Sequence, residues 1–442
     1  MEQVTKYIRF AFIFILLGMA MFASVAQAQS DEPRALVMTA DGPIMPPMLE
    51  YIKRGIKVAD QRGADLLVIQ LNTPGGSVDT MLKIIQEIRA SDVPVVVYVA
   101  PRNAIAGSAG AMITMAGHAS AMAPETSIGA SSPISGSGEN LNSTAETKAK
   151  EIIKAAIRPL VEPRGEEAQQ LAEAMIDEAK AVTASEALEA GLIDFVADDL
   201  EDLLQALDGF TVQLNGESRT ISTAGVETDL LNMSFIEQFL LTLTDPNIAF
   251  ILLAIGVQAI LIEISSPGGW VAGFLGAVCL TLAVYGMGVL PVNWFGIIFL
   301  IMAFVLFILD IKAPTHGALT TAGVASFIIG ALVLFNSPGV PQFQRVSVPL
   351  VVATGFTIGL LFMVILMFAL RALHVPITSG SESFVGKTGT ARSMVYGSGG
   401  QVQVGSELWT AEAVDESEAI GKGDRVEVVG IKGLRLQVKK IK

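Results

Sequence analysis

A long stretch almost without charge, from Ile248 to Leu370, is the feature that most constrains how this chain can fold. An ionisable side chain in hydrocarbon costs at least about 2.5 kcal/mol, so a stretch of this composition is typical of membrane-spanning helices. The whole chain agrees, with 51% hydrophobic and 16% charged residues, whereas soluble proteins carry about 25% charged residues. The charged side chains within the stretch are Glu263, Asp310, Lys312 and Arg345.

Turn residues divide this stretch into about five predicted spans. The connections at Pro267-Gly268-Gly269 and at Pro291 are very short, so the count holds to within one span. An odd number of spans places the two flanking parts of the chain on opposite sides of the membrane. The predicted spans are 247–264, 270–290, 292–311, 317–335 and 349–373.

The extreme N-terminus has the pattern of a secretory signal. Lys6 and Arg9 precede an apolar run, Phe10–Phe22, which is followed by the small-x-small sequence Ala26-Gln27-Ala28. We predict a signal peptide over residues 1–28 with cleavage after Ala28, because the run is short for a membrane span. An uncleaved anchor helix is the alternative.

The two parts outside the membrane differ in charge. Residues 29–247 carry 15 basic and 32 acidic side chains, a net of −17, and residues 371–442 carry 10 and 8, a net of +2. Cytoplasmic flanks of spans are enriched in lysine and arginine, so we expect the tail in the cytoplasm and the front part in the periplasm or outside the cell. The chain is therefore expected in the cytoplasmic (inner) membrane.

Charge and cysteine content exclude several classes of function. The net charge of −14 argues against a nucleic-acid partner, since such proteins need a basic surface for the phosphates. Cys279 is the only cysteine and lies in an apolar run, so neither an intrachain disulfide nor a cysteine metal cluster is possible. We predict no metal and no cofactor.

The front part alternates between strand and helix patterns. Leu66–Leu71 and Val95–Val99 are compact apolar runs typical of buried strands, while Pro46–Arg62 and Val78–Ala90 have helical spacing. This alternation predicts a parallel sheet covered on both faces. Ser131–Thr147 interrupts the pattern with Ser, Gly and Asn and is predicted to be a mobile loop.

Several further elements are predicted around this core. They are a helix at Gly107–Gly117, one from about Lys148 to Val161, three more at Glu166–Ala179, Ser185–Ala190 and Leu200–Leu207, a hairpin over Phe210–Ser222 and a helix near Met233–Leu243. The tail is punctuated by glycines, and its alternating segments predict a small barrel of the OB type. Its five predicted strands are Gly386–Ala391, Gln401–Val404, Leu408–Ala413, Asp424–Val429 and Leu434–Val438.

A turn after the first buried strand is a candidate for oxyanion binding. In Asn72–Gly76, paired glycines leave backbone N–H groups unobstructed at the start of a helix, where such donors can stabilise a developing negative charge. An ordinary Pro-Gly-Gly turn is the alternative. Ser266–Gly269 repeats the pattern between two spans, where a helix break explains it better.

Ser108 is a candidate nucleophile because small residues, Ala106–Gly110, surround it at a helix start. Close packing around a capping serine is the alternative, and Ala106 departs from the Gly-x-Ser-x-Gly elbow. A serine needs a base, yet His118 is favoured as structural, and His316 and His374 lie in or beside the membrane region. A Ser-His-Asp triad is thus disfavoured.

Lysine can replace histidine when burial lowers its pKa. Three lysines, Lys148, Lys150 and Lys154, lie near the start of the helix after the loop. Each has the alternative of being a solvated surface residue.

Several motifs in one order resemble the long form of the NfeD family, over nearly the whole chain. Family members are membrane-bound serine proteases whose catalytic domain is similar to the ClpP/crotonase superfamily and whose C-terminal domain is an OB-like barrel. The motifs are Asn72-Thr73-Pro74-Gly75-Gly76, Ser108-Ala109-Gly110, Ala121–Pro124 with Thr126–Ala130, the lysine-led helix, Asp245-Pro246-Asn247 and Gly405–Ala411.

The resemblance implies a Ser/Lys dyad. It places the nucleophile on Ser108 and the base on Lys148, with Lys150 as second choice. Gly75 and Gly76 would correspond to the oxyanion turn, and the N–H of Ala109 is a plausible second donor. Asn72 departs from an expected aspartate, at a position without a catalytic role.

The resemblance also implies the organisation and the partners. It suggests a ClpP-like α/β protease domain at 29–210, a hairpin and connector at 211–246, a transmembrane domain of about five helices at 247–373, and an OB-like C-terminal domain at 374–442. The implied substrate is an apolar peptide segment of a membrane-associated protein, and a stomatin-like (SPFH) protein is the implied partner. We also expect a homo-oligomer in the lipid membrane.

Three functions follow from these patterns. The favoured one is a membrane-anchored serine endopeptidase. The alternative is a non-proteolytic scaffold that organises a stomatin-like protein in the membrane. A channel or transporter is weak, because Glu263 and Asp310 both lie at span ends, where interfacial placement explains them.

Overall fold

The computed structural model describes residues 34–133, 143–265, 269–313, 315, 317–338, 340–373, 381–397, 399–415 and 419–441. The predicted signal peptide, most of Ser266–Gly269 and the middle of the loop predicted at Ser131–Thr147 lie outside these ranges. Two compact units are present, and residues 307–320 with 359–442 form the second.

The front part of the first unit alternates strands and helices, as the sequence predicts. Its elements are β1 (Arg34–Asp41), α1 (Pro46–Arg62), β2 (Leu66–Asn72), α2 (Val78–Arg89), β3 (Val95–Val99), β4 (Ile105–Gly107), α3 (Ala109–Ala116), β5 (Ala119–Met122), β6 (Ser127–Gly129), α4 (Ser143–Val161), α5 (Glu166–Asp177), β7 (Ala181–Thr183), α6 (Ala184–Glu189), β8 (Phe195–Val196) and α7 (Leu200–Leu207). After these come β9 (Thr211–Leu214), β10 (Glu217–Thr220), β11 (Glu227–Leu231) and α8 (Phe235–Thr242).

The main sheet is parallel and has the order β11-β1-β2-β3-β5-β8. Alternate residues of β3 enter different cores, with Val95 and Val97 on one face and Val96 and Tyr98 on the other. Both faces are therefore covered, which confirms the predicted fold class. The predicted hairpin is also present, with Asn215 and Gly216 at positive φ in its turn.

A second, three-stranded sheet with the order β4-β6-β7 was not predicted. Its strands have three residues each, too few to show a periodic pattern. It matters for the site, because β4 leads directly into Ser108 at the start of α3.

One predicted helix boundary is wrong. α4 begins at Ser143, five residues before Lys148, so the lysines lie in its second and later turns. The segment Ser143–Glu146 is polar and follows a serine-rich loop, which made it resemble loop in composition. Alanine and glutamate in its first turn nevertheless favour helix.

The membrane region contains five apolar helices where five spans are predicted. They are α9 (Pro246–Ser265), α10 (Val271–Val289), α11 (Phe295–Lys312), α12 (Ala318–Phe335) and α13 (Val348–Leu373). Within the described residues, four are long and apolar enough to cross a membrane, and the apolar stretch of α11, Phe295–Asp310, is shorter. The chain is thus an integral membrane protein.

The tail forms a closed five-stranded barrel with the order β12-β13-β14-β16-β15. Alternate residues such as Val402 and Val404 point into its core, as do Val426 and Val428. The predicted small OB-like barrel is confirmed. Its strands are β12 (Thr388–Ala391), β13 (Gly400–Val404), β14 (Glu407–Ala413), β15 (Arg425–Lys432) and β16 (Arg435–Lys440).

Candidate active site

The candidate site lies at the carboxyl end of β2, where two turns of the chain cross. Thr73 follows β2 and pairs with β4, since its N–H donates to Ile105 O at 2.7 Å and its carbonyl accepts from Gly107 N at 2.9 Å. This short ladder fixes the turn after β2 against the turn after β4. It thereby holds the two glycine-rich motifs of the sequence together.

Gly75 lies against Ser108. Its φ is +113°, and a Cβ built on it would be 2.7 Å from Ser108 Cβ and 3.3 Å from Ser108 Oγ. Real Cβ atoms do not approach so closely, so only glycine fits this position. The turn is therefore packed directly against the candidate nucleophile.

Gly76 is placed to donate a hydrogen bond to a substrate. Ile44 N donates to Gly75 O at 2.8 Å, and Ser77 N donates to Ile44 O at 2.9 Å. In a parallel bridge of this kind, the N–H of the central residue points to the opposite side. Among the described residues no acceptor for the Gly76 N–H is present. This free donor is what an oxyanion site requires.

Ser108 occupies a strained backbone conformation. Its φ and ψ are 51° and −113°, outside the regions that side-chain-bearing residues favour. Such a conformation costs about 1–3 kcal/mol and persists only where the surroundings impose it. Ser108 N donates to Gly129 O at 2.7 Å, and Ser131 Oγ donates to Ser108 O at 3.2 Å. The backbone of Ser108 is thus held on both sides.

The Ser108 side chain does not cap the helix that it precedes. It stands at the N-cap of α3 but makes no capping hydrogen bond, although serine at this position usually does. The interpretation of Ser108 as a capping residue is therefore wrong. Its hydroxyl lies at the positive end of α3, next to the N–H of Ala109, where developing negative charge is favoured.

The cleft beside Ser108 is small, about 10 Å³ in volume, and most of its lining residues are hydrophobic. Apart from Ser108 and Ser131, its walls carry the side chains of hydrophobic residues. A charged group placed against this lining would lose its hydration without gaining a partner. The lining residues are Gly76, Val78, Met81, Ser108, Ala109, Met112, Ser131, Pro133 and Ile153.

The predicted bases are not in this lining. Lys148 is exposed on α4. In an α-helix, residues five positions apart point about 140° away from each other, so Lys148 faces away from Ile153, which reaches the cleft. The structure therefore brings Ser108, Gly75, Gly76 and Ala109 together and leaves Lys148 outside.

Two other lysines on α4 are engaged in ion pairs. Lys150 Nζ lies 2.8 Å from a Glu146 carboxylate oxygen and donates to Asp177 O at 3.1 Å. Lys154 Nζ lies 2.5 Å from Glu151 and 3.2 Å from Asp177. The hydrogen bond to Glu151 raises the pKa of Lys154, which opposes a role as general base.

His118 is structural, as predicted. It precedes β5 at the opposite end of the sheet from Ser108, and its Nδ1 accepts a hydrogen bond from Val95 N at 3.1 Å. Burial, and then the nearby Arg89 charge, lower the pKa of His118 to about 4. It is therefore neutral at pH 7 and remote from the cleft.

Some residues of the site were not predicted as site residues from the sequence. Gly129 and Ser131 hold the backbone of Ser108, and Met81, Met112 and Ile153 form the cleft walls. Gly129 belongs to the motif Thr126–Ala130, which was the available signal, and the structure gives the reason for glycine there, since a Cβ would lie 2.2 Å from Lys180 O. The apolar wall residues give no signal that separates them from the core.

Three family descriptions match separate parts of the chain. The N-terminal domain of NfeD1b matches residues 37–213, the NfeD integral membrane domain matches 247–368, and the NfeD-like C-terminal, partner-binding domain matches 381–440. They follow one another in the order that the three structural parts have.

Two relatives match almost the full length of the chain. The chain is 34% identical over 432 residues to the membrane-bound protease PH1510 of Pyrococcus horikoshii, covering 96% of this chain and 97% of that protein. It is 27% identical over 455 residues to the membrane protein NfeD1b of Bacillus subtilis, covering 97% of each.

Two solved structures of related proteases match about half of the chain. A membrane protease from Pyrococcus horikoshii, described as specific for a stomatin homologue, is 31% identical and covers 48% of this chain and 100% of that one, with a TM-score of 0.42. A lysine-to-alanine variant of a stomatin-specific protease bound to a substrate peptide is 33% identical, covering 49% and 99%, with a TM-score of 0.45.

Proposed function

The chain belongs to the NfeD family and is a membrane-bound serine protease, and from this premise we propose that Ser108 and Lys148 form its catalytic dyad. The proposed substrates are apolar segments of membrane-associated proteins. The observation that carries the proposal is the strained turn at Ser108, which makes no helix-capping hydrogen bond and lines one cleft together with Gly76, whose N–H has no acceptor among the described residues.

The proposed reaction has two steps. Neutral Lys148 takes the proton of Ser108 Oγ, which attacks the scissile carbonyl, while the N–H groups of Gly76 and Ala109 hold the oxyanion. Protonated Lys148 then gives its proton to the leaving amine, and an acyl-serine remains. In the second step Lys148 takes a proton from water, which attacks the acyl carbon to form a second tetrahedral intermediate. Its collapse breaks the bond to Ser108 Oγ and releases the acid, and protonated Lys148 returns the proton to the Ser108 oxygen.

Lys148 must move for this reaction. Ile153 is the first residue of α4 that is buried, and the described side chains before it are exposed or half-buried. The first turns of α4 can therefore rearrange with little loss of packing. We propose that a bound apolar segment brings Lys148 into the cleft and excludes water from its amine, which places it within reach of Ser108 as a general base.

The proposed partner is a stomatin-like protein. Related proteases are described as stomatin-specific, and the tail matches a partner-binding domain. We also propose that the protease domain is extracytoplasmic and the barrel cytoplasmic. The charge of the two flanking parts supports this arrangement, which requires that the shorter helix α11 crosses the membrane together with the four longer ones.

A variant series on one helix tests the dyad. Ser108→Ala and Lys148→Ala should each abolish cleavage of an apolar peptide by the full-length protein in detergent. Lys150→Ala and Lys154→Ala are matched controls on the same helix and should retain activity. Labelling by a fluorophosphonate probe should require Ser108 and should be strongly slowed by Lys148→Ala.

Other outcomes would reassign the roles. Full activity in Lys148→Ala combined with loss in Lys150→Ala would move the base to Lys150. Cleavage by folded Ser108→Ala would reject the serine mechanism. Restoration of cellular function by an inactive Ser108→Ala protein would favour the scaffold alternative.

A further inference from the structure

A groove separate from the catalytic cleft lies between the protease domain and the start of the membrane region. It has a volume of about 830 Å³, within the range of ligand-binding clefts. Asp41, Tyr51 and Pro74 come from the protease domain, while Leu241, Ile248 and Phe343 come from α8, the start of α9 and the segment before α13. The groove is therefore wide enough for a chain segment.

One end of the groove meets the catalytic turn. Pro74 lines it and directly precedes Gly75, which packs against Ser108. A Cβ on Gly107 would lie 3.0 Å from Pro74 O, so the turn after β4 touches the same residue. A chain that leaves the groove at Pro74 thus arrives beside the nucleophile.

The other end of the groove meets the membrane. Ile248 lies in the first turn of α9, and Phe343 lies in the segment joining α12 to α13, so the groove is lined from the start of one apolar helix and the approach to another. Ser347 N donates to Asn247 Oδ1 at 2.8 Å, which ties these two span ends together. A polypeptide emerging from the bilayer at this point faces the groove opening.

Hydrogen bonds fix the groove wall formed by α8. Arg54 on α1 makes a bidentate ion pair with Glu237, at 2.8 and 2.7 Å, and also donates to Asn232 O at 2.8 Å. Tyr51 Oη donates to Leu231 O at 2.5 Å. The wall is thus held to the protease domain by side chains of α1, so the groove is a preformed feature.

We infer that this groove guides the extended, membrane-proximal segment of a substrate from the bilayer to Ser108, an inference that rests on the proposed proteolytic function. The lining supports a peptide over a lipid chain. The lining contains apolar side chains such as Leu241 and Ile248 together with polar ones such as Gln238, and an extended peptide needs both kinds of contact.

Two substrates distinguish guidance from catalysis. The first is a short soluble apolar peptide, and the second is the same sequence attached to one membrane-spanning helix and reconstituted with the full-length protein in phospholipid vesicles. Gln238→Trp and Thr242→Trp place bulk in the groove at exposed positions of α8. Ile236→Trp is the matched control, since Ile236 is exposed on the same helix outside the groove lining.

The groove variants should lower kcat/KM for the membrane-anchored substrate by about tenfold or more and change that for the soluble peptide by less than about twofold. Ile236→Trp should change neither. An equal loss on both substrates, or no loss on either, overturns the inference. If cleavage of the soluble peptide does not depend on Ser108, the proposed function itself fails, which separates the two conclusions.

Cross-linking provides an independent measurement. Cys279 is the only native cysteine, so a Cys279→Ala, Ser108→Ala background allows a single new thiol at Gln238→Cys, with Ile236→Cys as control. A cysteine in the membrane-proximal segment of the anchored substrate should cross-link at position 238 and not at 236. Cross-linking at neither position would overturn the inference. Photolabelling of position 238 by lipid, with cleavage of the anchored substrate unchanged, would overturn it as well.

Discussion

The glycine at position 76 of the catalytic turn and two turn glycines of the C-terminal barrel, Gly405 and Gly433, are required for different physical reasons. A Cβ on Gly76 would lie 2.2 Å from Ile44 O, a backbone atom that cannot move aside cheaply. In the barrel, Gly405 and Gly433 have φ of +61° and +62°, but a Cβ on either would meet nothing within 4 Å. A side chain at position 76 is excluded for lack of space, whereas one at position 405 or 433 is disfavoured only by the backbone conformation.

Gly76→Ala should cause the largest effect, because it tests the space limit directly. The added methyl group must displace the Ile44 strand segment or the turn itself, which moves the proposed oxyanion donor. Loss of one such donor costs about 10²–10³ in kcat, so we expect at least about a hundredfold loss of peptide cleavage. Gly405→Ala is the control and should keep full activity.

Activity of Gly76→Ala within about tenfold of the parent protein would break the comparison, since the turn would then tolerate a side chain. Near-ultraviolet circular dichroism of both variants separates a local change from global unfolding.

Between about pH 6.5 and pH 4, the range in which the pKa of His118 makes folding sensitive to pH, acid should destabilise the protease domain and leave the barrel unaffected. Its pKa of about 4 in the folded protein lies below the ordinary 6.5. The stabilisation is therefore present above about pH 6.5 and is lost as pH falls toward 4, a difference of about 3 kcal/mol. The described barrel contains no histidine.

His118→Asn tests this origin, because its side-chain carbonyl can still accept from Val95 N. Hydrogen exchange of the two domains from pH 7 to 4.5 should show a steep loss of protection in the parent protease domain and a shallow one in the variant. Equal pH dependence in both proteins would show that the cause is elsewhere.

Ser108→Gly should separate strain from chemistry. Glycine accepts the φ of 51° without a Cβ penalty, so the inactive variant should be more stable than Ser108→Ala by about 1 kcal/mol. Thermal unfolding in detergent measures the difference. If Ser108→Gly is no more stable than Ser108→Ala, the turn stores no strain.

The sequence predicted the elements whose patterns are strong. Runs such as Val95–Val99 predicted the parallel sheet, and the nearly uncharged stretch predicted the membrane helices. The pair Asn215-Gly216 predicted the hairpin turn. β11 (Glu227–Leu231) was missed because most of its side chains are exposed and show no apolar pattern, although it pairs with β1 through its backbone.

The candidate site was predicted only in part for a similar reason. Motifs identified Ser108 and the turn at Gly75-Gly76, but their contact depends on short ladders such as that between Thr73 and Ala106. Backbone pairing over one or two residues leaves no trace in the order of side chains. The orientation of Lys148 on α4 likewise depends on where that helix begins.

Gly433→Ala should cause the smallest effect and tests the other half of the comparison. The turn between β15 and β16 is open, so the cost is only that of an alanine at positive φ, about 1 kcal/mol. Asparagine tolerates this conformation better, so Gly433→Asn should cost less than Gly433→Ala. Hydrogen exchange of the barrel in the full-length protein measures both, and peptide cleavage should be unchanged. Equal destabilisation by alanine and asparagine would indicate a steric limit, and the barrel turn would then resemble the catalytic one.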